Sequence, residues 1–344
     1  MKKNKDSIIL GIESSCDDTS AAILKNGVLL SNITASQGVH QKFGGVVPEL
    51  ASRAHQENIV PTVDAAIKEA GIGIKDITAI AFTRGPGLMG SLLVGTSFAK
   101  SLSMSLNIPL LDVHHMKAHV HAHFIQENNI DYTPPSFPFI CLTVSGGHTQ
   151  IVYVENPLKM KVIGETIDDA IGEAFDKAGK LLGLGYPAGP LIDKHAKLGD
   201  SNKYEFTYPK TNALNYSFSG LKTQFLYFLN KNTKENANFI NENLQHISAS
   251  YQSHLINYLL INFKKALKKY PCNDIAIAGG VSANSHLREQ FIALGKELKC
   301  KVHIPKMSFC TDNAAMIAMS GFFLEKEGEF SDLEVSASAR ITMN

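Results

Sequence analysis

Ile8-Ile9-Leu10-Gly11-Ile12-Glu13 is followed by Ser14-Ser15-Cys16-Asp17-Asp18-Thr19-Ser20 and then by Ala21-Ala22-Ile23-Leu24. The two apolar runs read as buried strands, joined by a small polar turn that carries acids. Lys25-Asn26-Gly27 closes the second strand, and Val28-Leu29-Leu30-Ser31-Asn32-Ile33 reads as a third. The same grammar returns at Phe139-Ile140-Cys141-Leu142-Thr143-Val144, Ser145-Gly146-Gly147-His148-Thr149 and Gln150-Ile151-Val152-Tyr153-Val154. A strand, a turn whose backbone N–H groups can face an anion, and a returning strand thus open each half of the chain. One such hairpin is common; its repetition implies an internal duplication, with two similar α/β domains facing each other over a cleft. A polar, Pro-containing link over 128–138 sets the boundary. The expected division is an N-terminal domain over 1–130 and a C-terminal domain over 131–344.

Bulk composition suits that division. At 344 residues the chain is long for one core. Its 44% hydrophobic and 19% charged residues are those of a soluble globular protein. A net charge of +1 offers no global attraction to nucleic acid, so any such binding needs a local patch or a partner. The five cysteines are scattered and form no C-x-x-C pair, which points to a reducing compartment. The start is polar and basic, and Ile8-Ile9-Leu10 is too short for a signal-peptide core. No apolar run approaches the roughly 20 residues that span a bilayer. The expected location is cytoplasmic.

Between the two hairpins, Gly44-Gly45-Val46-Val47-Pro48 leads into a helix towards Ala70, and Asp76 to Phe82 reads as a strand. Thr83-Arg84-Gly85-Pro86-Gly87-Leu88-Met89-Gly90 is a glycine-rich turn opening a second helix. Such a turn serves anion binding or tight strand–helix packing equally well. In the second half, Asp168 to Leu184 reads as an amphipathic helix, the next helix begins near Leu191, and 218–223 reads as irregular. Long helix follows over 239–270. Its lysines Lys264, Lys265, Lys268 and Lys269 read as a solvated face that complements the helix C-terminus, rather than as a nucleic-acid site. Asp274 to Ala278 and Val302-His303-Ile304 read as strands, with Gly279 to Asn284 a turn opening a helix. The last main helix is expected to start at Phe309, with Asp312 in its first turn.

Chemistry concentrates in Val113-His114-His115-Met116-Lys117-Ala118-His119-Val120-His121-Ala122-His123, which holds five of the 13 histidines. His115 and His119 are four apart, as are His119 and His123; on a helix such pairs share a face and can share a metal. The zinc-protease form H-E-x-x-H fails, because Met116 stands where the general base would be. A metal here would do Lewis-acid work or anchor a ligand, and its third ligand must come from elsewhere in the chain. Spacing alone leaves Asp312 as one option.

Eight separated stretches then resemble one family along nearly the full length: GIESSCDDT (11–19), GGVVPELASR (44–53), HHMKAH (114–119), VSGGHTQ (144–150), GEAFDK (172–177), SFSGLKT (217–223), GGVSAN (279–284) and FCTDNAAMIA (309–318). The chain resembles the universal family that makes threonylcarbamoyladenosine in tRNA, once misnamed the O-sialoglycoprotease family. The resemblance implies an α/β actin-like ATPase (ASKHA) fold, two duplicated RNase H-like domains around a central cleft. It implies His115, His119 and Asp312 as ligands of one divalent metal ion, Fe2+ in first place and Zn2+ as the alternative. His123 is the nearest rival ligand and Asp17 an outer-sphere partner. Archaeal relatives carry a tyrosine ligand where this chain has Thr143, so water or a substrate oxygen takes that place. Nucleotide- and substrate-contacting positions map to Thr143, Val144, Ser145, Gly146, Gly147, Asp176, Gly189, Asp193 and Asn284.

The implied reaction moves a threonylcarbamoyl group from threonylcarbamoyl-AMP to N6 of adenosine 37 in tRNAs reading codons that start with A, releasing AMP. No general base is evident; Asp17 and Asp18 are the candidates. Implied partners are tRNA, a shorter paralogous subunit and a small P-loop ATPase. Arg53, Arg84 and Arg288 are candidate phosphate contacts. Three alternatives stand beside this reading: a metalloprotease, which Met116 disfavours; a generic actin-like ATPase or kinase, which would lack HHMKAH; and a non-catalytic scaffold paralogue, which would lose the histidines this chain keeps.

Overall fold

The computed structural model describes residues 6–128, 130 and 132–343. The polar start at residues 1–5, and Asn129 and Asp131 of the link, lie outside the described residues. The chain falls into two compact units. One holds residues up to Pro134, Asn156–Met160 and the chain from Pro305 onward; the other holds Pro135–Glu155 and Lys161–Ile304. The chain first passes from one unit to the other after Pro134. The expected assignment of everything after 131 to a second domain does not describe the last forty or so residues, which pack with the first unit.

In the first unit, β1 (Ile8–Glu13), β2 (Thr19–Lys25) and β3 (Val28–Ala35) form an antiparallel meander. Asn26 and Gly27 join β2 to β3 with φ of 53° and 87°, the left-handed pair that a two-residue hairpin loop requires. Helix α1 (Pro48–Glu69) carries proline at its first turn, where the missing N–H costs nothing. Then come β4 (Ala79–Gly85), α2 (Met89–Leu106), β5 (Leu110–His114), α3 (His115–His121) and the short β6 (Gln126–Glu127). Strand order is β5-β4-β1-β2-β3-β6, with β1, β4 and β5 parallel.

The second unit repeats this order. Its strands are β7 (Phe139–Val144), β8 (Thr149–Val154), β9 (Met160–Glu165), β10 (Asp274–Ala278) and β11 (Lys301–His303), in the order β11-β10-β7-β8-β9. Between β9 and β10 run α4 (Ile171–Leu181), α5 (Gly189–Ala196), α6 (Ser219–Glu235) and α7 (Phe239–Lys269); α8 (Ser285–Leu298) joins β10 to β11. Each sheet thus places its first strand centrally, antiparallel to the second and parallel to the fourth. That is the duplication read from the paired hairpins. Two elements were not legible: β9 has no clean alternation, and Ser219, read as irregular, starts α6.

After β11 the chain returns to the first unit as α9 (Ala314–Glu327). Residues Ala314 to Gly321 are all buried, as expected of a helix without a polar face in its first two turns. The sheet sorts its side chains by pleat. Ile9, Ala22, Leu24, Ala81 and Leu111 pack with α9, while Leu10, Ile12, Ile23, Ile80 and Phe82 pack with α1 and α2. Gly11 lies on the α9 face, where a Cβ would collide with Ala314 O and stand 2.7 Å from Ala318 N. Gly321 lets α9 approach from its own side, since a Cβ there would be 2.5 Å from the Ala81 Cβ. Among the described residues no helix is long and apolar enough to cross a membrane.

Because Gly11 meets helix backbone rather than a yielding side chain, Gly11→Ala should cost about 1–3 kcal/mol, the usual penalty of overpacking. Chemical denaturation of the two proteins measures it; equal midpoints would show that α9 does not press on β1 as described.

Candidate metal centre

Two backbone features deliver the cluster. Strand β5 ends at His114, whose Nδ1 accepts from the amides of Met116 and Lys117 and so caps α3. Capping fixes the start of the helix, and with it the face on which His115 and His119 lie one turn apart. Asp312 comes from the segment just before α9. The expected helix start at Phe309 is displaced: residues Met307–Phe309 form a 3-10 turn, and Asn313 caps α9 by accepting from the Met316 amide at 3.0 Å. Asp312 therefore precedes the cap and is free of the helix.

Ligand atoms of His115, His119 and Asp312 all lie within 4.8 Å of one another. Asp312 Oδ1 is 3.4 Å from His115 Nε2 and 3.2 Å from His119 Nε2. The two rings meet edge to face with centroids 4.8 Å apart. Both ring nitrogens of His119 are buried. Nε2 faces the Asp312 carboxylate at 3.2 Å, whereas Nδ1 has no hydrogen-bond partner among the described residues, and leaving such a buried polar atom unmatched costs about 1–3 kcal/mol. Two imidazoles and a carboxylate suit a divalent ion of the iron or zinc type.

A fourth residue, missed in the sequence, completes the electrostatics. Glu13 ends β1 and is fully buried. Its Oε1 accepts the Ser15 amide at 2.5 Å, and its Oε2 accepts the Thr83 hydroxyl at 2.7 Å. Oε2 also lies 3.0 Å from His115 Nδ1. An Nδ1–H donated to this carboxylate turns the Nε2 lone pair towards Asp312 and His119, the arrangement by which carboxylates orient metal-binding imidazoles. Burial disfavours charge on all these groups, yet their mutual attraction overcomes it. Glu13 is held below its ordinary value by the charge and hydrogen bond of His115. Asp312 is held far below by His115 and His119. His115, between the two carboxylates, is raised well above the usual imidazole range. The signal available for Glu13 was an acid at the end of an otherwise apolar strand.

Neighbouring candidates separate by their contacts. Burial, helped by the charges of Asp17, Asp312 and Glu13, pushes Asp18 up to about 6. It can therefore exchange a proton near neutral pH. Cys16 is raised by burial and nearby acids, so it is no thiolate nucleophile. His121 is occupied by the Ser320 hydroxyl at 2.7 Å and the Pro157 carbonyl at 2.8 Å. His123 sits in the 3-10 turn Ala122–Phe124, off the α-helical face of His119, with Nδ1 3.5 Å from the Tyr132 hydroxyl. Arg84 pairs with Asp112 at 3.1 Å, and Arg288 donates to the Ser282 carbonyl at 2.8 Å. The glycine-rich turn at 83–90 is used for packing: Cβ atoms at Gly85 and Gly87 would collide with the carbonyls of Ser338 and Ser15.

The second unit gathers the nucleotide-site candidates. Thr143 and Val144 are buried at the end of β7. In the turn after them the Ser145 amide donates to the His148 carbonyl at 2.8 Å, and the His148 amide to Ser145 Oγ at 3.1 Å. Gly146 and Gly147 between them are exposed, and a Cβ at either would meet nothing within 4 Å. Unlike Gly85 and Gly87, they leave space that the protein does not fill. Asp176 accepts the Ala188 amide at 2.8 Å and so ties α4 to the start of α5, where Gly189 stands; burial raises its carboxyl. Asp193 accepts from Gln252 at 3.1 Å and from the Ser285 hydroxyl at 2.9 Å, and Asn284 donates to Gln252 at 2.7 Å while capping α8. Asp193 and Asn284 thus belong to one network centred on Gln252, a residue that sequence reading passed over.

A duplicated sheet of this order with a histidine–carboxylate cluster on one copy defines an actin-like ATPase-fold protein carrying three side chains that could hold a metal ion. Among solved structures, HypF of T. kodakarensis shares this fold, with a TM-score of 0.62 at 14% identity over 95% of this chain and 49% of that one. The chain spans about half the length of HypF, and the likeness concerns fold alone. The family model TsaD, described as tRNA N6-adenosine threonylcarbamoyltransferase, matches residues 28–319. The protein of that name from Christiangramia forsetii is 57% identical over 332 residues, covering 96% of this chain and 97% of its own. The one from Riemerella anatipestifer is 54% identical over 340 residues, covering 99% of each. The chain belongs to the tRNA N6-adenosine threonylcarbamoyltransferase family.

If Glu13 orients His115 as the geometry requires, Glu13→Gln should weaken metal binding about 10–100-fold. Competition against a chelator of known affinity reads this directly. The pH dependence has a fixed sign: His115 is raised well above 6.5 and must lose its proton to ligate, so metal affinity should rise with pH through the neutral range. Affinity independent of pH would contradict a protonated His115.

Proposed function

We propose that this chain transfers the threonylcarbamoyl group of threonylcarbamoyl-AMP to N6 of adenosine 37 in tRNAs that read codons starting with A, forming threonylcarbamoyladenosine and releasing AMP. The observation that carries the reading is the convergence of His115, His119 and Asp312, with both imidazoles buried, in a chain of the transferase family. The donor is a mixed anhydride, so its acyl carbon is already activated. What remains is to orient it and to stabilise charge on the carbamoyl oxygen and the leaving phosphate. His115, His119 and Asp312 hold one divalent ion, Fe2+ by this proposal with Zn2+ as the alternative. That ion supplies Lewis acidity towards the donor's oxygens when bound.

The chain's own groups do the rest. The Ser145-Gly146-Gly147 turn presents backbone N–H groups to the phosphate, and its open glycines let the anion approach. Thr143 and Val144 set the direction of that turn. Asp193 accepts three hydrogen bonds from Ser285 and Gln252, and the remaining site on Oδ2, with Lys197 Nζ 3.9 Å away, is the one a ribose hydroxyl would use. Asn284 and Gly189 shape the same surface, and Asp176 fixes Gly189 in place. Asp17 and Asp18 are the candidates for taking the proton released from the adenine amine, and burial raises the Asp18 carboxyl to about 6. With a net charge of +1, the chain holds tRNA together with a shorter paralogous subunit and a small P-loop ATPase, in the cytoplasm.

With synthetic threonylcarbamoyl-AMP and tRNA, His115→Ala and His119→Ala should each lower transfer by about 10²-fold or more. Nucleoside analysis of the tRNA reads the product; full activity in both variants would sink the metal-centred reading. Gly146→Val should leave thermal stability intact, because its side chain enters open space, yet raise KM for the donor about tenfold. An unaltered donor KM would remove the turn from the phosphate site.

A further inference from the structure

The lysine run at the end of α7 does not stand alone. Lys264, Lys265, Lys268 and Lys269 occupy its last two turns. The fold brings a second basic segment to the same end of the second unit: Lys296 and Lys299 at the C-terminus of α8, and Lys301 at the first position of β11. Three contacts join the segments. Lys264 pairs with Glu297 at 2.8 Å, the Lys301 amide donates to the Asn273 carbonyl at 2.7 Å, and Cys300 Sγ lies 3.6 Å from the Cys272 carbonyl. Two helix C-termini and the starts of two parallel strands therefore meet there.

The charge at this end is lopsided. Seven of the chain's 33 lysines and arginines fall in 262–274 and 295–301, against two of its 32 acids, leaving 26 basic and 30 acidic residues elsewhere. Of the two acids, Glu297 is engaged by Lys264, and Asp274 at the start of β10 is buried against His303 at 2.6 Å. Another carboxylate, Glu155 at the end of β8, lies two strands from β10. Lys265, Lys268, Lys269, Lys296, Lys299 and Lys301 are exposed. The helix dipoles account for about half a charge at each C-terminus, much less than six lysines. The patch presents ammonium groups without arginine forks or an exposed aromatic ring, which suits phosphate oxygens rather than base edges or base stacking.

We infer that this end of the second unit is a docking surface for the phosphate backbone of an RNA duplex, and, resting on the function proposed above, for a stem of the substrate tRNA remote from the modified base. Position argues for a remote stem. The patch lies where β10 begins, whereas the Gly279–Asn284 turn lies where β10 ends, about 17 Å further along the strand. A basic surface on an otherwise acidic chain also explains how a protein of net charge +1 can grip a polyanion with one face only.

The test is binding of full-length tRNA and of the isolated anticodon stem–loop to the full chain over a range of KCl concentrations, for wild type and a Lys268→Gln/Lys296→Gln/Lys301→Gln variant. The variant should flatten the salt dependence for full-length tRNA by about two to three in log–log slope. It should raise KM for tRNA about tenfold or more, and leave both stem–loop affinity and donor KM at wild-type values. A wild-type slope for full-length tRNA in the variant would overturn the inference and leave the patch to an acidic protein or another anionic surface. Equal losses for tRNA and stem–loop would overturn its remoteness. Absence of both transfer and tRNA binding in the wild type, with the shorter paralogous subunit and the P-loop ATPase present, would overturn the substrate reading, and the inference with it.

Discussion

Two groups that cannot be buried singly, Glu13 and His115, are buried together, and a partly exposed third, Asp312, closes the set. Glu13 arrives on β1, His115 on α3 and Asp312 from the segment before α9, and the attraction among them offsets what burial costs. Removing one partner from such a set strands the others, at a cost of several kcal/mol. Much of the first unit serves to bring them within reach. Strand β1 must run in the middle of the sheet, α3 must start immediately at the end of β5, and the chain must return from the second unit to lay α9 against β1. Gly11 is the fitting that permits the last step, because β1 and α9 meet there backbone to backbone. The packing of an apolar helix and the placing of a ligand are thus one constraint: a shift of α9 moves Asp312.

Residues of the fold were legible where local chemistry spoke clearly. Both hairpins announced themselves through apolar runs around small polar turns, and the Asn26-Gly27 pair specifies its loop type outright. The matching strand orders of the two sheets are the structural form of that repetition. The return of residues after Pro305 to the first unit was not legible, because nothing in a linear pattern says which sheet a helix covers. Strand β9 escaped for a simpler reason. Its sequence, Met160-Lys161-Val162-Ile163-Gly164-Glu165, places Val162 and Ile163 side by side and so breaks the alternation that marks a half-buried strand.

At the site, spacing was enough to single out His115 and His119 but not to choose among their neighbours. His119 and His123 satisfy the same four-residue rule, and only the passage from α-helix to 3-10 turn at Ala122 separates them. Asp312 needed the family resemblance, since its nearest ligand partner is nearly 200 residues away. Glu13 was missed although it lies in the GIESSCDDT stretch, because it is not itself a ligand, and Gln252 because it is neither a ligand nor part of a motif. Glu13 acts through His115, and Gln252 joins Asp193 to Asn284 from the middle of a long helix. Positioning residues of this kind leave no spacing signature; they become visible when hydrogen-bond partners can be followed one by one.

The two glycine turns show why identical residue types had to be told apart in three dimensions. Gly85 and Gly87 have carbonyls pressed against the positions a side chain would take, so their smallness is spent on the protein itself. Gly146 and Gly147 have none, so nothing in the fold demands glycine there. A glycine that packing does not require, at the end of a central strand, is room kept for something else. The lysines of α7 follow the same logic in reverse. Read along the helix they look like routine complement to its C-terminus. Set beside Lys296, Lys299 and Lys301 they exceed what two helix ends can use, and the excess is charge that the protein's own structure leaves unneutralised.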